Sequence, residues 1–282
     1  MRCALPQYCR RVGDQIRQEV IAVLDRILAP VPNWLGRGAE VQPGSRLASD
    51  DAATSPVQMS HVTRACLTQA VDHLEALRQW IFVARVVPTW ATFTVARGAI
   101  ENAATAVWLQ SNDDQSVRVR RRIKVRVRDI RHGQDFMDHL GDPPPRPAEQ
   151  RLEELVTMGR AFGVDRGDVL GRTVGYRAIL AEAGRETPVL SDDGPLAMWR
   201  MCSGVAHGQQ WATLGVLERE IVATDGDVVQ VRLTASEKPL VGAVNMAARL
   251  TAEGFRLLDR HRLCWRDSAC SPTGPDGDRS PT

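Results

Sequence analysis

The chain has 282 residues, of which 43% are hydrophobic, so it can bury the core of one domain of roughly 200 residues with additional tails. It carries a formal net charge of +2 with 36 basic residues, and only Lys124 and Lys238 among them are lysines. Codon usage in a GC-rich genome produces such an excess of arginine, so the abundance of arginine does not by itself indicate a nucleic-acid partner.

No apolar segment is long enough to predict a membrane span. The longest apolar region, WIFVARVVPTWATFTVARGAIENAATAVWL, is interrupted by Arg85, Pro88, Arg97 and Glu101. A span needs about 20 uninterrupted apolar residues. The apolar residues at the N-terminus are too few for the core of a secretory signal. We therefore expect no membrane partner and a cytoplasmic location.

Hydrophobic periodicity divides the chain into four parts. Residues 1–33 contain a first amphipathic helix, and residues 34–56, rich in Gly, Ser, Pro and Asp, are expected to form a flexible linker. A helical core domain follows over residues 57–262. The polar residues 263–282 are expected to be a disordered tail.

Helical spacing and turn residues predict the elements of the core. Helices are expected from Val57 to about Val86, from Pro88 to Leu109, from Asp114 to Leu140, over 147–162, 175–184 and 194–214, and from Glu237 to Arg262. Two Val/Ile-rich runs around Asp225 and Gly226 predict a β-hairpin. The predicted fold is mainly α, a helical bundle of about six to seven helices with one small β-hairpin near the C-terminal helix.

The run SVRVRRRIKVRVRDI allows two interpretations. Its valines nearly alternate, as in a strand, but Val119, Ile123 and Val127 also lie four residues apart on one helix face. We favour a helix because the neighbouring segments are helical and Arg121 interrupts the alternation.

The stretch WRMCSGVAHGQQW holds the strongest candidate site. On a continuous helix, Arg200 and His207 lie two turns apart and differ by only about 20° around the axis. Ser203 and Gly204 lie on the same stripe. Gly204 and Gly208 cost helix stability, so their small size predicts a close approach by another backbone or by a ligand.

The spacing R-x6-H on a late helix of a mainly helical chain resembles the HEPN superfamily, whose R-x4-6-H motif marks many metal-independent ribonucleases of toxin and defence systems. The resemblance implies a homodimer that binds RNA in a cleft between its protomers, with an antitoxin or another protein as a further partner. It implies that Arg200 clamps the scissile phosphate and that His207 is the general acid/base as the 2′-hydroxyl attacks. No cofactor is implied.

One departure from the family concerns catalysis. Many members place a polar residue directly after the arginine, whereas this chain has Met201. The alternative function is therefore a non-catalytic helical protein-interaction or scaffold domain, in which the same stripe packs or meets a partner.

Three polar residues interrupt the apolar helix before Leu109: Arg97, Glu101 and Asn102. Arg97 and Glu101 are four residues apart and can pair on one helix face. One interpretation is a partly buried structural ion pair. The other is that this helix packs beside the Arg200 helix, so that Glu101 orients Arg200 or His207 and all three residues, with Ser203, support the site.

The segment from Arg118 to Arg131 has the highest density of positive charge in the chain. We expect its side chains to contact nucleic acid through Arg118, Arg121, Arg122, Lys124 and Arg128. The alternative is a solvated face made arginine-rich by codon usage, since aromatic residues that could stack on bases are absent from the segment.

Two weaker patterns contain metal-ligand residue types. The terminal C-x5-C pairs, Cys3 with Cys9 and Cys264 with Cys270, are wider than zinc pairs and are more simply loose cysteines in the tails. His132, Asp135 and His139 share a helix face but have no evident fourth ligand. We predict no metal site.

Overall fold

A computed structural model describes residues 9–11, 16–34, 36–38, 40–142, 144–187, 190 and 194–264. This part of the chain is mainly helical, as predicted, with more helices than the expected count of about six to seven. The first six α-helices are α1 (Gln18–Leu28), α2 (Val31–Trp34), α3 (Arg46–Ala53), α4 (Met59–Arg78), α5 (Ala91–Gln110) and α6 (Gln115–Leu140). The other six are α7 (Ala148–Arg160), α8 (Arg166–Leu170), α9 (Tyr176–Glu186), α10 (Gly194–Ala206), α11 (Gln210–Val216) and α12 (Glu237–Arg262).

Four strands form two antiparallel pairs in the described residues. They are β1 (Cys9–Arg11), β2 (Val86–Pro88), β3 (Glu218–Asp225) and β4 (Val228–Thr234). Strand β1 pairs with β2, and β3 pairs with β4. The second pair is the predicted hairpin, with its turn at Gly226 in a left-handed conformation (φ 54°).

Helix α5 lies at the centre of the main bundle, and α4, α9, α10 and α12 pack around it. From Ala103 to Gln110 every residue of α5 is buried, and many of these side chains are small. The packing is close, because a Cβ atom on Gly98 would lie 2.5 Å from the His73 ring of α4. This arrangement brings the middle of α5, with Arg97 and Glu101, against α10.

Helix α6 confirms the helical interpretation of the arginine-rich run and lies between two apolar cores. Asp114 caps its start, accepting a hydrogen bond from the Ser116 amide at 2.8 Å. Val125 packs in the main core. The predicted face of Val119 and Ile123 packs in a second, smaller core together with residues of α7 and α8.

The expected flexible linker is wrong for its second half, because residues 46–53 form α3. The Ser45 hydroxyl caps this helix by accepting a hydrogen bond from the Ala48 amide at 3.2 Å. Asp50 of α3 is 1% exposed and forms an ion pair with Arg118 of α6. The polar composition of residues 46–53 predicted a loop, but the contact between Asp50 and Arg118, which are distant in sequence, orders these residues as a helix.

The predicted helix start at Pro88 is also wrong. Helix α4 continues into a π-helical turn, Gln79–Val83, and Arg85 then takes a left-handed conformation (φ 59°). Pro88 ends β2, where it pairs with Cys9 of β1. The two strands are almost eighty positions apart in sequence. A pairing between such distant segments leaves no periodic signal in either of them, so it could not be predicted.

Two further predictions concern the C-terminal part of the chain. The closing helix was predicted with the bounds that α12 has, and its expected apolar face is buried. The predicted disordered tail, from residue 265 onward, lies outside the described residues. None of the helices in the described ranges is long and apolar enough to cross a membrane.

Candidate functional site

His207 lies at the C-terminal end of α10, where the chain reverses. Its amide donates to the Ser203 carbonyl at 3.0 Å, so the backbone is still helical up to this residue. Gly208 then takes a left-handed conformation (φ 64°), and the amides of Gly208 and Gln209 bond back to Val205 and Gly204. This is a Schellman motif with His207 at the C-cap position.

The predicted continuous helix over 194–214 is therefore wrong, because α10 and α11 are separate helices joined at this reversal. Position 208 has a left-handed backbone, which glycine adopts without steric cost. The expectation that Arg200 and His207 share a face is not affected by the break, which lies after His207.

Arg97 of α5 contacts His207 directly. Its Nη1 atom lies 3.0 Å from His207 Nε2. A guanidinium group only donates hydrogen bonds, so Nε2 accepts, and the imidazole in this arrangement carries its proton on Nδ1. The free electron pair of Nε2, the one that could take up a proton, is thus directed at a fixed cation.

Glu101 holds Arg97 in place. Its Oε1 atom accepts from Arg97 Nε and from Trp199 Nε1, both at 2.7 Å. The guanidinium carbon of Arg97 also lies 6.0 Å from the centre of the Trp199 ring. We call these four residues, His207, Arg97, Glu101 and Trp199, the His207 cluster.

The cluster confirms one expected contact and corrects another. Arg97 and Glu101 pair at i,i+4 on α5, and α5 packs beside α10. Glu101 was expected to orient Arg200 or His207, but it bonds Arg97 and Trp199, and Arg97 contacts the histidine. The role of Trp199 was missed, although a buried indole N–H usually needs a partner.

The other predicted site residues lie outside the cluster. Arg200 is exposed and makes no hydrogen bond or ion pair with any residue that the structure describes. The Asn102 side chain donates to the Gly98 carbonyl of its own helix at 2.9 Å. Ser203 is partly exposed and contributes its carbonyl to the end of α10.

The group that approaches Gly204 closely is helix α11 of the same chain. A Cβ atom there would lie 2.6 Å from Cζ2 of Trp211 and 2.7 Å from Cβ of Ala212. Helix α11 therefore packs directly on this glycine. The expected close approach occurs, but a neighbouring helix makes it and not a ligand.

The two buried cysteines do not supply a nucleophile. Burial raises the pKa of Cys66 to about 11 and that of Cys202 to about 12. Both side chains therefore remain thiols at neutral pH, and a thiol is a poor nucleophile. They are core residues.

Three of the five predicted nucleic-acid contacts are wrong, because their side chains are buried in the protein. Arg118 binds both carboxylate oxygens of Asp50 at 2.7 and 2.8 Å. Arg122 donates to the Val57 carbonyl at 2.8 Å, and burial lowers its pKa to about 10. A buried cation must be satisfied by such partners, so these arginines hold helices together.

Arg121 is the third buried arginine of α6. It donates to Glu186 of α9 at 2.5 and 2.7 Å and to the Trp108 carbonyl of α5 at 2.7 Å. Burial acts to raise the pKa of Glu186, but the hydrogen bonds from Arg121 and Ser111 hold it below its usual value. Arg121 therefore joins three helices of the bundle.

Lys124 and Arg128, the remaining two predicted contacts, are partly exposed. The guanidinium carbon of Arg128 lies 4.6 Å from the centre of the Tyr176 ring. Both side chains are still accessible to a ligand, on the part of α6 that faces the start of α9.

The weak metal patterns do not become sites in the described ranges. No group of three or more His, Cys, Asp or Glu side chains there is arranged to hold a metal ion. His139 and His132 are exposed at the end of α6. Cys264 forms a disulfide bond, so it is not the loose thiol that was expected, and Cys3 and Cys270 lie outside the described residues.

Comparison of the chain with protein-family models, with curated proteins and with solved structures gave no match.

Proposed function

We propose that this protein is a metal-independent endoribonuclease of the toxin or defence type, with its site at the His207 cluster. The observation that carries the proposal is the 3.0 Å contact between Arg97 Nη1 and His207 Nε2 at an exposed position. It places a phosphate-binding cation beside a proton-accepting nitrogen. These are two of the groups that cleavage of RNA without a metal ion uses.

In the proposed reaction His207 Nε2 takes the proton of the 2′-hydroxyl as its oxygen attacks the adjacent phosphorus. Arg97 turns from the imidazole to the phosphate and neutralises the charge that develops on it. The bond from phosphorus to the 5′-oxygen breaks, and that oxygen receives a proton. The products are a 2′,3′-cyclic phosphate and a 5′-hydroxyl end.

Glu101 and Trp199 act as positioning residues in this proposal. The Glu101 carboxylate holds Arg97 Nε, so only the outer end of the guanidinium has to move from the imidazole to a phosphate. The substrate would not have to organise the arginine itself. This reduces the entropy lost when the reacting groups are aligned.

A homodimer would complete the site. One imidazole can accept the proton of the nucleophile, but the leaving oxygen needs a second donor, and His207 of a second copy can supply it. Arg200 lies about 10 Å from His207 along the axis of α10 and is exposed, so it can contact a flanking phosphate or the second copy. An antitoxin or another protein would then regulate the site by covering it.

The test is cleavage of single-stranded and structured RNA in the presence of EDTA. We expect His207→Ala to lower the cleavage rate by about 100-fold or more. His61→Ala, which removes an exposed histidine of α4, is the matched control and should cleave normally. Product ends with a 2′,3′-cyclic phosphate support the mechanism, whereas activity that survives in His207→Ala contradicts it.

The dimer is tested separately by sedimentation. We expect the purified full chain to sediment with twice the mass of one chain, 31.1 kDa. Arg200→Glu, which places a carboxylate at the proposed contact, should shift the protein toward the monomer and lower cleavage together. A monomeric wild type that still cleaves RNA would contradict the role given to the second copy.

One observation favours a non-catalytic interaction protein instead. The β3–β4 hairpin exposes apolar side chains, with Ile221 67% and Val228 63% accessible. Exposed apolar residues grouped in this way mark contact surfaces in many proteins. A wild-type chain without ribonuclease activity that binds a protein through the hairpin, and loses it in Ile221→Asp, would establish this second function.

A further inference from the structure

A groove runs between α6 and the segment that leads into α9. It encloses a volume of about 850 Å³, and residues 172–175 with the first turns of α9 form one wall. Lys124 and Arg120 of α6 lie on the opposite wall. A space of this size accommodates a few nucleotides.

The groove is lined by cations that have no partner. The side chains of Lys124, Arg172 and Arg177 form no hydrogen bond or ion pair with the residues that the structure describes. This contrasts with Arg118 and Arg121 on the same helix α6, each of which is paired with a carboxylate. The acidic residues nearby are bound to other groups, so these three cations remain available to a ligand that carries negative charge.

The two carboxylates near the groove, Glu182 and Asp168, are engaged with other residues. Glu182 accepts hydrogen bonds from Trp108 Nε1 at 2.7 Å and from Arg121 at 3.3 Å, so it serves the bundle. Asp168 lies 3.6 Å from Arg120. Neither carboxylate is paired with Lys124 or with the two arginines of the opposite wall. The groove therefore has a positive potential.

The walls are held apart by fixed contacts. Arg131 of α6 donates to the carbonyls of Leu170 and Gly171 at 2.6 and 2.8 Å, directly before Arg172. Arg128 lies one turn from Lys124 and packs on Tyr176, the first residue of α9. These contacts are made within the protein, so binding in the groove would cost little entropy for ordering its walls.

The groove leads toward the His207 cluster. Tyr176 is close enough to Arg97 and Glu101 for their charges to act on its hydroxyl, and Arg128 lies on the same ring. Tyr176 thus lies beside Arg128, one turn from Lys124, and within the electrostatic reach of both Arg97 and Glu101 of the cluster. Cations on both walls of the groove suit a phosphodiester backbone that runs between them.

We propose that this groove binds the phosphodiester backbone of single-stranded RNA and guides it to His207. Lys124, Arg172 and Arg177 contact successive phosphates, and Arg128 with Tyr176 joins the groove to the cluster. The identity of the ligand as RNA rests on the proposed function. The groove itself is defined by its unpaired cations, and its binding is measurable without any cleavage.

The probe is a fluorescent 2′-O-methyl RNA of about ten nucleotides, which lacks the attacking hydroxyl and cannot be cut. We measure its affinity for the full chain by fluorescence anisotropy at several salt concentrations. Three phosphate contacts on a single strand give a loss of roughly 20-fold in affinity between 50 and 200 mM salt. The triple variant Lys124→Ala/Arg172→Ala/Arg177→Ala should bind about tenfold or more weakly at low salt and lose most of this dependence.

The matched control removes the same charge elsewhere. Arg26→Ala/Arg160→Ala/Arg219→Ala changes three exposed arginines outside the groove and should bind as the wild type does. Equal affinity of the two triple variants overturns the proposal. Wild-type protein that does not bind the probe, that prefers a duplex, or that prefers an acidic peptide also overturns it.

The outcome separates the groove from the catalytic proposal. If the wild type binds the probe through the groove but does not cut unmodified RNA, the groove proposal stands and the ribonuclease proposal fails. If unmodified RNA is cut equally well by the wild type and by the groove variant, the ribonuclease proposal stands and the groove proposal fails.

Discussion

Arg97 of α5 and His207 at the end of α10 are 110 positions apart in sequence, and their side chains lie 3.0 Å from each other. The contact fixes which nitrogen of the imidazole carries the proton, because the guanidinium can only donate. This relationship can be measured without any assumption about catalysis.

The tautomer of His207 provides the first prediction. In the wild type at pH 8 the ¹⁵N shifts of its imidazole should show the proton on Nδ1. Arg97→Met removes the donor to Nε2, so we expect the signal to move toward the mixture of tautomers that free histidine shows. His61 is the internal control. An unchanged His207 signal in the variant would mean that the contact does not set the tautomer.

The buried ion pair between Asp50 and Arg118 provides the second prediction. Both side chains are almost fully buried, at 2% and 4% exposure. Arg118→Met leaves the Asp50 carboxylate buried without a cation, and we expect the free energy of unfolding to fall by about 3–5 kcal/mol. The measurement is urea unfolding followed by circular dichroism.

Arg126→Met is the matched control for that experiment. Arg126 lies on the same helix and pairs with Asp129, but these side chains are far more accessible, at 33% and 65% exposure. Its loss should cost less than about 1 kcal/mol. Equal effects of the two variants would show that burial does not decide the contribution of these pairs.

The third prediction concerns acid stability and His261 of α12. Burial lowers its pKa to about 3, and the positive charges of Arg46 and Arg118 act in the same direction. Below the unfolded pKa of about 6.5 the unfolded chain binds a proton that the folded chain does not. Stability therefore falls as pH falls, by about 2 kcal/mol between pH 7 and pH 5 from this residue.

His261→Gln should remove that contribution. We expect the free energy of unfolding of the variant to change less between pH 7 and pH 5 than that of the wild type. His61→Gln, at an exposed position, should keep the wild-type dependence. Parallel curves for the wild type and for His261→Gln would show that His261 does not resist protonation in the folded state.

The fourth prediction concerns the contact between α10 and α11. Gly204→Ala places a methyl group 2.7 Å from Cβ of Ala212, which is fully buried and cannot move alone. Helix α11 must shift, and we expect a loss of about 1–3 kcal/mol in the free energy of unfolding. Gly215→Ala, with nothing within 4 Å of the new atom, is the control and should be neutral or stabilising. Identical stability of both variants would refute this account of Gly204.

The long helices could be predicted because each has its own periodic apolar face. Helix α12 was predicted with its observed bounds, and the face of Val119 and Ile123 identified α6 as a helix. Helix α3 could not be predicted. Its sequence is polar, and its burial depends on Arg118, which is 68 positions away from Asp50. Because of the same contact, Arg118, which was predicted to lie on the surface, is buried.

The sequence identified most residues of the candidate site, but it did not predict which of them contact each other. The spacing of Arg97 and Glu101 indicated a pair, and His207 was identified beside them. The sequence alone favoured Arg200 as the partner of the histidine, since they share one helix. The packing of α5 against α10 decides the contact instead, and only the folded chain shows that Arg97 reaches His207.

Helix α6 lies between the main core and the smaller core of α7 and α8, and it supplies one wall of the groove. The opposite wall begins at Arg172, directly after the residues that Arg131 binds at the end of α8. Loosening of the smaller core would therefore widen the groove while the helices around His207 stay folded. The proposed binding of RNA in the groove and the proposed cleavage at His207 would then be lost at different concentrations of denaturant, although one continuous chain carries both.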